Sequence, residues 1–278
     1  MTRSLLAVMV ALVGVLGTTA WRTPPRTTPV SFPLLHAEQL LAGLHYLPVQ
    51  WHPLVAATVE TNSAAWAHPP LGHWAWTPEP MQLHILWTAP GTMNPLVAGG
   101  LIAIQHRTGL PISGHLTPAT AQAINTAWIH HQTDPHKYTY VLVNEYSGSP
   151  HPETLTLWHN GRVALRTLVN TGVSQSPSPI GTWPVYLRYR AQDMSGYTPW
   201  GTYYNDPGVP YVNYFHGGDA VHGFPRAAYG FPQSLGCVEL PIPNAALAWT
   251  WIHYGTPVTV TANLTPTLRA VVTGGPVR

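Results

Sequence analysis

Apolar and polar positions along this chain change their period near residue 138. Before it the spacing is helical. From His36 to Leu47, apolar residues fall at Leu40, Leu41, Leu44 and Tyr46, which predicts a short helix ended near Pro48. A second helix follows Asn94-Pro95, with Asn94 as its cap, Pro95 in its first turn, and Leu96, Leu101 and Ile104 on its buried side. Thr117-Pro118 opens a third through Ala121, Ile124 and Trp128. Residues 51–95, crowded with Trp, Pro and His, give no readable period. After residue 138 the texture is that of strands. Tyr138–Val143 is rich in β-formers, Leu155–Trp158 alternates, and Asn160-Gly161 separates it from a further run, Val163–Val169. Asn-Gly between two apolar runs is a strong hairpin signal. Further strands are expected at Trp183–Tyr189, Val209–Tyr214 and Pro257–Thr261, and only Ala245–His253 reads as helix.

The expected architecture is therefore α+β and multidomain: a small helical N-terminal module, then a mainly β sandwich or barrel. The boundaries read as 1–20 a signal peptide, 21–35 a linker, 36–137 the helical module, 138–262 the β-rich domain and 263–278 a tail. The signal peptide rests on Arg3, the apolar run Leu5–Leu16 and the small-residue exit Gly17-Thr18-Thr19-Ala20, which together predict export. The linker is rich in proline and threonine.

Composition narrows the function classes. Only 8% of residues are charged, against roughly 25% in an ordinary soluble domain. Lys137 is the single lysine, and the formal net charge is +2. A nucleic-acid partner, which demands a basic stripe to neutralise phosphates, is excluded on that ground. No internal apolar run approaches the ~20 residues of a membrane span. Sixteen histidines would turn the surface cationic in an acidic medium, which suggests an exported protein from an acid-tolerant organism. The chain's one cysteine, Cys237, cannot form an internal disulfide, so it is either a buried bystander or a working nucleophile.

Its neighbourhood favours the nucleophile. Cys237 follows Gly236 in the segment YVNYFHGGDAVHGFPRAAYGFPQSLGCVEL, residues 211–240. A thiol nucleophile needs access, a base, and main-chain N–H groups for an oxyanion. Gly236 removes bulk beside the attacked carbonyl, and the N–H groups of Gly236 and Cys237 are placed to hold the oxyanion. His222 and His216 are the candidate bases. Tyr211 and Tyr214 either line a substrate groove or pack the sandwich. No His-Glu-x-x-His motif or cysteine pair occurs, so no metal is expected.

His222-Gly223, Ser234-Leu235-Gly236-Cys237-Val238-Glu239-Leu240 and Gly255-Thr256-Pro257-Val258 resemble, in that order, the motifs of the L,D-transpeptidase catalytic domain, the YkuD family. Upstream, Asn170-Thr171-Gly172 and Ser178-Pro179-Ile180-Gly181-Thr182-Trp183 match that family's Thr-Gly and Thr-Pro-x-Gly-x-aromatic elements, so the resemblance spans about 138–262. It implies a sandwich of that type, a peptidoglycan partner, and no metal or organic cofactor. It implies acyl transfer from a stem tetrapeptide through a thioester on Cys237, giving a 3→3 cross-link. The roles carried over are His222 as base, the Gly223 carbonyl orienting its imidazole, and Ser234, Gly236 and Cys237 forming the oxyanion loop; by motif position His216 is then a rim or turn residue rather than the base. Two positions depart from the family: Leu235 replaces a histidine, and Glu239 stands where arginine or asparagine is usual. Arg226 is the candidate to supply the missing charge to a substrate carboxylate. The alternatives are an L,D-carboxypeptidase using water, or a catalytically impaired wall-binding protein. The stretch AIQHRTGLPISGHLTPATAQAI, residues 103–124, resembles a peptidoglycan-binding-like module, with Ser113-Gly114-His115 where that family carries an aspartate.

Overall fold

The structure is a computed structural model that describes residues 33–54, 63–145 and 151–262. The expected signal peptide and tail, and all of the expected linker but its last three residues, lie outside the described residues.

Helix α1, Leu34–Gly43, ends earlier than its apolar spacing suggested. The chain turns back at once: the His45 N–H bonds the Ala42 carbonyl, the Tyr46 N–H bonds the Leu41 carbonyl, and His45 sits at φ +66°. A left-handed residue with these paired bonds closes a helix without any proline. Leu44 and Tyr46 are still buried, so their apolar character marks the core rather than the helix. The unreadable stretch contains a two-stranded antiparallel ribbon, β1 (Val49–Pro53) with β2 (Gly72–Trp76), a short helix α2 (Ser63–Ala67), and a 3₁₀ turn, Met81–Leu86. Strands of five residues are too short to show a period against so many tryptophans. Helices α3 (Pro95–Arg107) and α4 (Pro118–Ile129) begin where their caps predicted. Asn94 Oδ1 accepts from the Leu96 and Val97 N–H groups, and Thr117 Oγ1 accepts from the Thr120 N–H. The Gln105 side chain clamps the loop between them: its Oε1 accepts from the Ser113 and Gly114 N–H groups, and its Nε2 donates to the His115 carbonyl.

The β-rich part holds two sheets. The first has the order β5-β4-β3-β11-β6, built from β3 (Thr139–Asn144), β4 (Thr154–His159), β5 (Arg162–Leu168), β6 (Gly181–Pro184) and β11 (Pro257–Thr261). Asn160 and Gly161, both at positive φ, form the expected hairpin turn between β4 and β5. The second sheet has the order β10-β9-β8-β7, from β7 (Leu187–Tyr197), β8 (Tyr203–His216), β9 (Asp219–Gly223) and β10 (Val238–Leu240). The single run expected at Trp183–Tyr189 is thus two strands in different sheets, because Val185 and Tyr186 turn the chain from one layer to the other. The strand expected at Val209–Tyr214 is the inner half of a much longer β8. Helix α5, Ile242–Trp251, packs against β9 and β8.

One core lies between the sheets. Val141, Val143, Leu155, Leu157, Val258 and Val260 of the first sheet meet Phe215, Val221, Val238 and Leu240 of the second, with Ala245 and Ala248 of α5. β3 is buried on both faces. Its odd residues face this core, while Tyr140 and Leu142 face Leu83 and Leu96 of the N-terminal part. The helices have their own core around Leu40, Leu41, Leu101, Ile104 and Ile124. The two parts also meet backbone to backbone: a Cβ at Gly99 of α3 would collide with the Gly255 carbonyl, and one at Gly255 with the Gly99 carbonyl. The described residues are an α+β fold packed into one compact unit.

Candidate active site

β10 runs parallel to β9, with Val238 opposite Val221 and Glu239 opposite His222. Alternate residues of a strand share a face. Val221, Val238 and Leu240 point into the sandwich core. Cys237, just before β10, therefore shares the opposite face with Glu239, His222 and Phe224, and these four line a cleft of about 540 Å³. The other wall is the long β7–β8 hairpin, which contributes Met194, Trp200, Tyr204 and Tyr214.

His222 is 3% exposed, and its Nδ1 lies 3.0 Å from the Gly223 carbonyl. A carbonyl can only accept, so Nδ1 carries the proton and Nε2 is left as the basic nitrogen. Burial pulls the imidazole pKa down, and the Gly223 bond and the Glu239 carboxylate oppose that pull. Cys237 is partly accessible, and its Sγ is 4.0 Å from the Gly218 carbonyl. Burial pushes the thiol up to about 12; Asp219 and Glu239 add to the rise, and a bond from Ala220 opposes it. The resting pair is thus a neutral thiol and a neutral imidazole.

The loop before Cys237 is held through its main chain. Ser234 Oγ donates to the Cys237 carbonyl at 2.6 Å and accepts from the Gly236 N–H at 3.2 Å. Ser178 Oγ donates to the Gly236 carbonyl, and Ser176 Oγ to the Leu235 carbonyl. The Thr171 carbonyl accepts from the N–H groups of Gln233 and Ser234. Thr171 is itself fixed by Glu153, fully buried, whose two oxygens take the Thr171 N–H and hydroxyl at 2.7 Å each. Gly236 sits at φ +118°, where a Cβ would strike the Asp219 carboxylate. These contacts hold residue 235 by its backbone alone, so the loop keeps its course with leucine there.

Glu239 is 4% exposed, and Arg226 grips it through Nε and Nη2, both at 2.7 Å. The guanidinium expected for a substrate carboxylate is therefore held by a carboxylate of the chain itself, and the pair lines the cleft together. Tyr214 lines the cleft, but Tyr211 does not. Tyr211 packs with the sandwich core near Trp249, 6.1 Å away, because its positive φ turns the side chain off the strand's regular alternation. His216 is also outside the cleft: it is exposed, 4.6 Å from the Trp183 ring, with Nδ1 3.4 Å from Asp219. Glu153, Ser178 and Asp219 went unread as site supports in the sequence. For Ser178 the signal was present in the Ser-Pro-Ile-Gly-Thr-Trp element, but buried Glu153 and the turn residue Asp219 carry none.

Residues 138–260 match the family model described as the L,D-transpeptidase catalytic domain, YkuD. No curated protein matches the chain. Among solved structures, an L,D-transpeptidase from Mycobacterium smegmatis is 24% identical over 45% of this chain and 59% of its own, with a TM-score of 0.38. The catalytic domain of an E. faecium L,D-transpeptidase is 24% identical over 46% of this chain and 100% of its own, at 0.39. L,D-transpeptidase 3 from Mycobacterium tuberculosis is 23% identical over 44% and 61%, at 0.38. This chain thus spans about six-tenths of the length of the two mycobacterial chains. Residues 138–260, which hold the sandwich and the cleft, are thus similar to the L,D-transpeptidase catalytic domain of the YkuD family.

Proposed function

We propose that the chain is an exported cysteine acyltransferase that cross-links peptidoglycan stem peptides. The observation that carries this is the shared face of Cys237 and His222 at the floor of one cleft, with Nδ1 of His222 committed to the Gly223 carbonyl. Nε2 of His222 takes the thiol proton as Sγ bonds to the carbonyl carbon of the third stem residue. The oxyanion is met by the Cys237 N–H and by the Gly236 N–H, now donated to Ser234 Oγ. The imidazolium returns the proton to the leaving amine of the terminal D-alanine, and a thioester remains. An amine of a second stem then attacks the thioester carbonyl, His222 takes its proton, and Cys237 leaves and is reprotonated. The raised thiol pKa makes the base obligatory at the moment of attack, since little thiolate exists beforehand.

Arg226, held by Glu239, stands in for the strand arginine of the family as a cleft guanidinium carried by the loop. The helical part, with the Gln105-clamped loop, is proposed as a peptidoglycan-binding-like module. Mass spectrometry of the full-length protein with a disaccharide-tetrapeptide, beside Cys237→Ala, tests the reading. Loss of D-alanine with a cysteine-dependent thioester and a cross-linked dimer is expected. Loss of D-alanine with water as the only acceptor would make it an L,D-carboxypeptidase. No thioester from a folded protein would reject the acyl-transfer reading.

A further inference from the structure

A second cleft, of about 320 Å³, lies on the molecule where α3, residues 134–136, β7 and the turn after α5 meet. Its chemistry is unlike that of the first. Arg188 of β7 is largely withdrawn from water, enough that burial pulls its guanidinium down to about 10. It lies flat on Trp249, 3.8 Å from the ring centre. Its hydrogen bonds go to neutral groups: Nε to Asn213 Oδ1 at 2.8 Å and Nη2 to the Trp249 carbonyl at 2.9 Å, with Nη1 3.4 Å from His253 Nδ1. Among the described residues, the ion pairs are His216–Asp219 and Arg226–Glu239, and Arg188 has no carboxylate partner. A charge removed from water is normally paired.

The groups around it deepen the excess. His253 stacks on His136 with ring centres 3.5 Å apart, and His106 stacks on Tyr254 at 3.7 Å. Arg107 lines the same cleft and donates to the Tyr46 hydroxyl at 3.0 Å. The one carboxylate in the lining is Asp134, whose Oδ1 accepts from the His136 N–H and whose neighbours are Arg107 and His45. Burial, and then the nearby His136 and Lys137, pull the pKa of His159 down as well. Two arginines and three imidazoles therefore converge on a space with a single acid.

We propose that this cleft is a binding site for a tetrahedral oxyanion, a phosphate or sulfate group, which supplies the counter-charge that Arg188 lacks. The anion sits against Arg188, with His136 and His106 beside it. Because the lining comes from both the helical part and the sandwich, an occupant ties the two together. Burial and cationic neighbours hold His106 and His253 toward their neutral forms, so an entering anion draws protons onto the cluster. The proposal stands whether or not the acyl-transfer reading does.

Titration calorimetry of the full-length protein tests it, with inorganic phosphate, inorganic sulfate and dimethyl phosphate as probes, against chloride at equal ionic strength. One saturable site is expected, tighter by about tenfold near pH 5.5 than near pH 8. The heat should depend on the buffer in the way net proton uptake requires. Arg188→Gln should abolish binding. Since Arg188 also packs on Trp249, exposed His136→Ala, checked for folding by circular dichroism, gives an independent loss of affinity. Dimethyl phosphate binding as well as phosphate would assign the site to the diester of a polymer. Binding of the inorganic ions alone would assign it to the free anion. Heats equal to those of chloride, binding unchanged in both variants, or binding without proton uptake would each overturn the proposal.

Discussion

Replacing Glu38 with glutamine should change how stability depends on pH while leaving the fold intact. Glu38 lies on α1 and is fully buried. Its Oε2 accepts from the Gly91 N–H at 2.7 Å, while its Oε1 is buried without a hydrogen-bond partner. Burial raises its pKa from 4.5 to about 7, with the Gly91 bond opposing. A carboxyl whose folded pKa is raised gives stability that is fully present below its unfolded pKa and lost as pH rises through the folded value. The window is therefore about 4.5 to 7, and the rise is worth on the order of 3 kcal/mol. Glutamine keeps the shape and an oxygen for Gly91 but cannot ionise. Urea denaturation of wild type and Glu38→Gln at matched pH gives the difference between them. That difference should move by about 3 kcal/mol in favour of the variant between about pH 4.5 and pH 8. In thermal unfolding this is roughly 6–12 °C. A difference that stays constant with pH would refute the buried, half-partnered carboxyl. Glu79, raised to about 7 by burial, adds a loss of the same sign. His253 acts oppositely: lowered to about 3 by burial, and further by its cationic neighbours, it gives stability present above 6.5 and lost as pH falls through 3. These groups therefore oppose one another between about pH 4.5 and 6.5.

Three further outcomes follow from the site and its supports. Cys237, with its thiol pushed up to about 12, should react with iodoacetamide at pH 7 more slowly than a free cysteine, and faster as pH rises. A fast plateau near neutrality would mean a preformed thiolate. Glu239→Ala should cost about 3 kcal/mol by stranding Arg226, and Arg226→Met/Glu239→Met together should recover much of it, as read from denaturant midpoints. Equal losses in the single and double variants would remove the pair from the account. Gly99→Ala should destabilise by about 1–3 kcal/mol, because its Cβ meets the Gly255 carbonyl where α3 crosses the sandwich. An unchanged midpoint would show that the crossing has slack.

What the sequence made legible follows the range of the forces involved. Caps and turns act within four residues, so Asn94, Thr117 and Asn160-Gly161 announced their elements directly. The turn Ser234–Cys237 was visible for the same reason, because its serine, glycine and cysteine lie within four residues of one another. The partners of that loop were not readable. Glu153 reaches Thr171 across 18 residues, and Arg226 reaches Glu239 across 13, and each is a lone charged residue until the fold closes. Glu239 could only be read as a defect in a known pattern. In the structure it is half of a bidentate pair whose other half comes from the loop after β9. The same holds for β7 and β8. Their outer ends have few apolar positions to show a period, because the sheet there leaves the core and walls a cleft. Sequence periodicity reports burial against a core; where a strand walls an open cleft instead, as β7 and β8 do, the period fades.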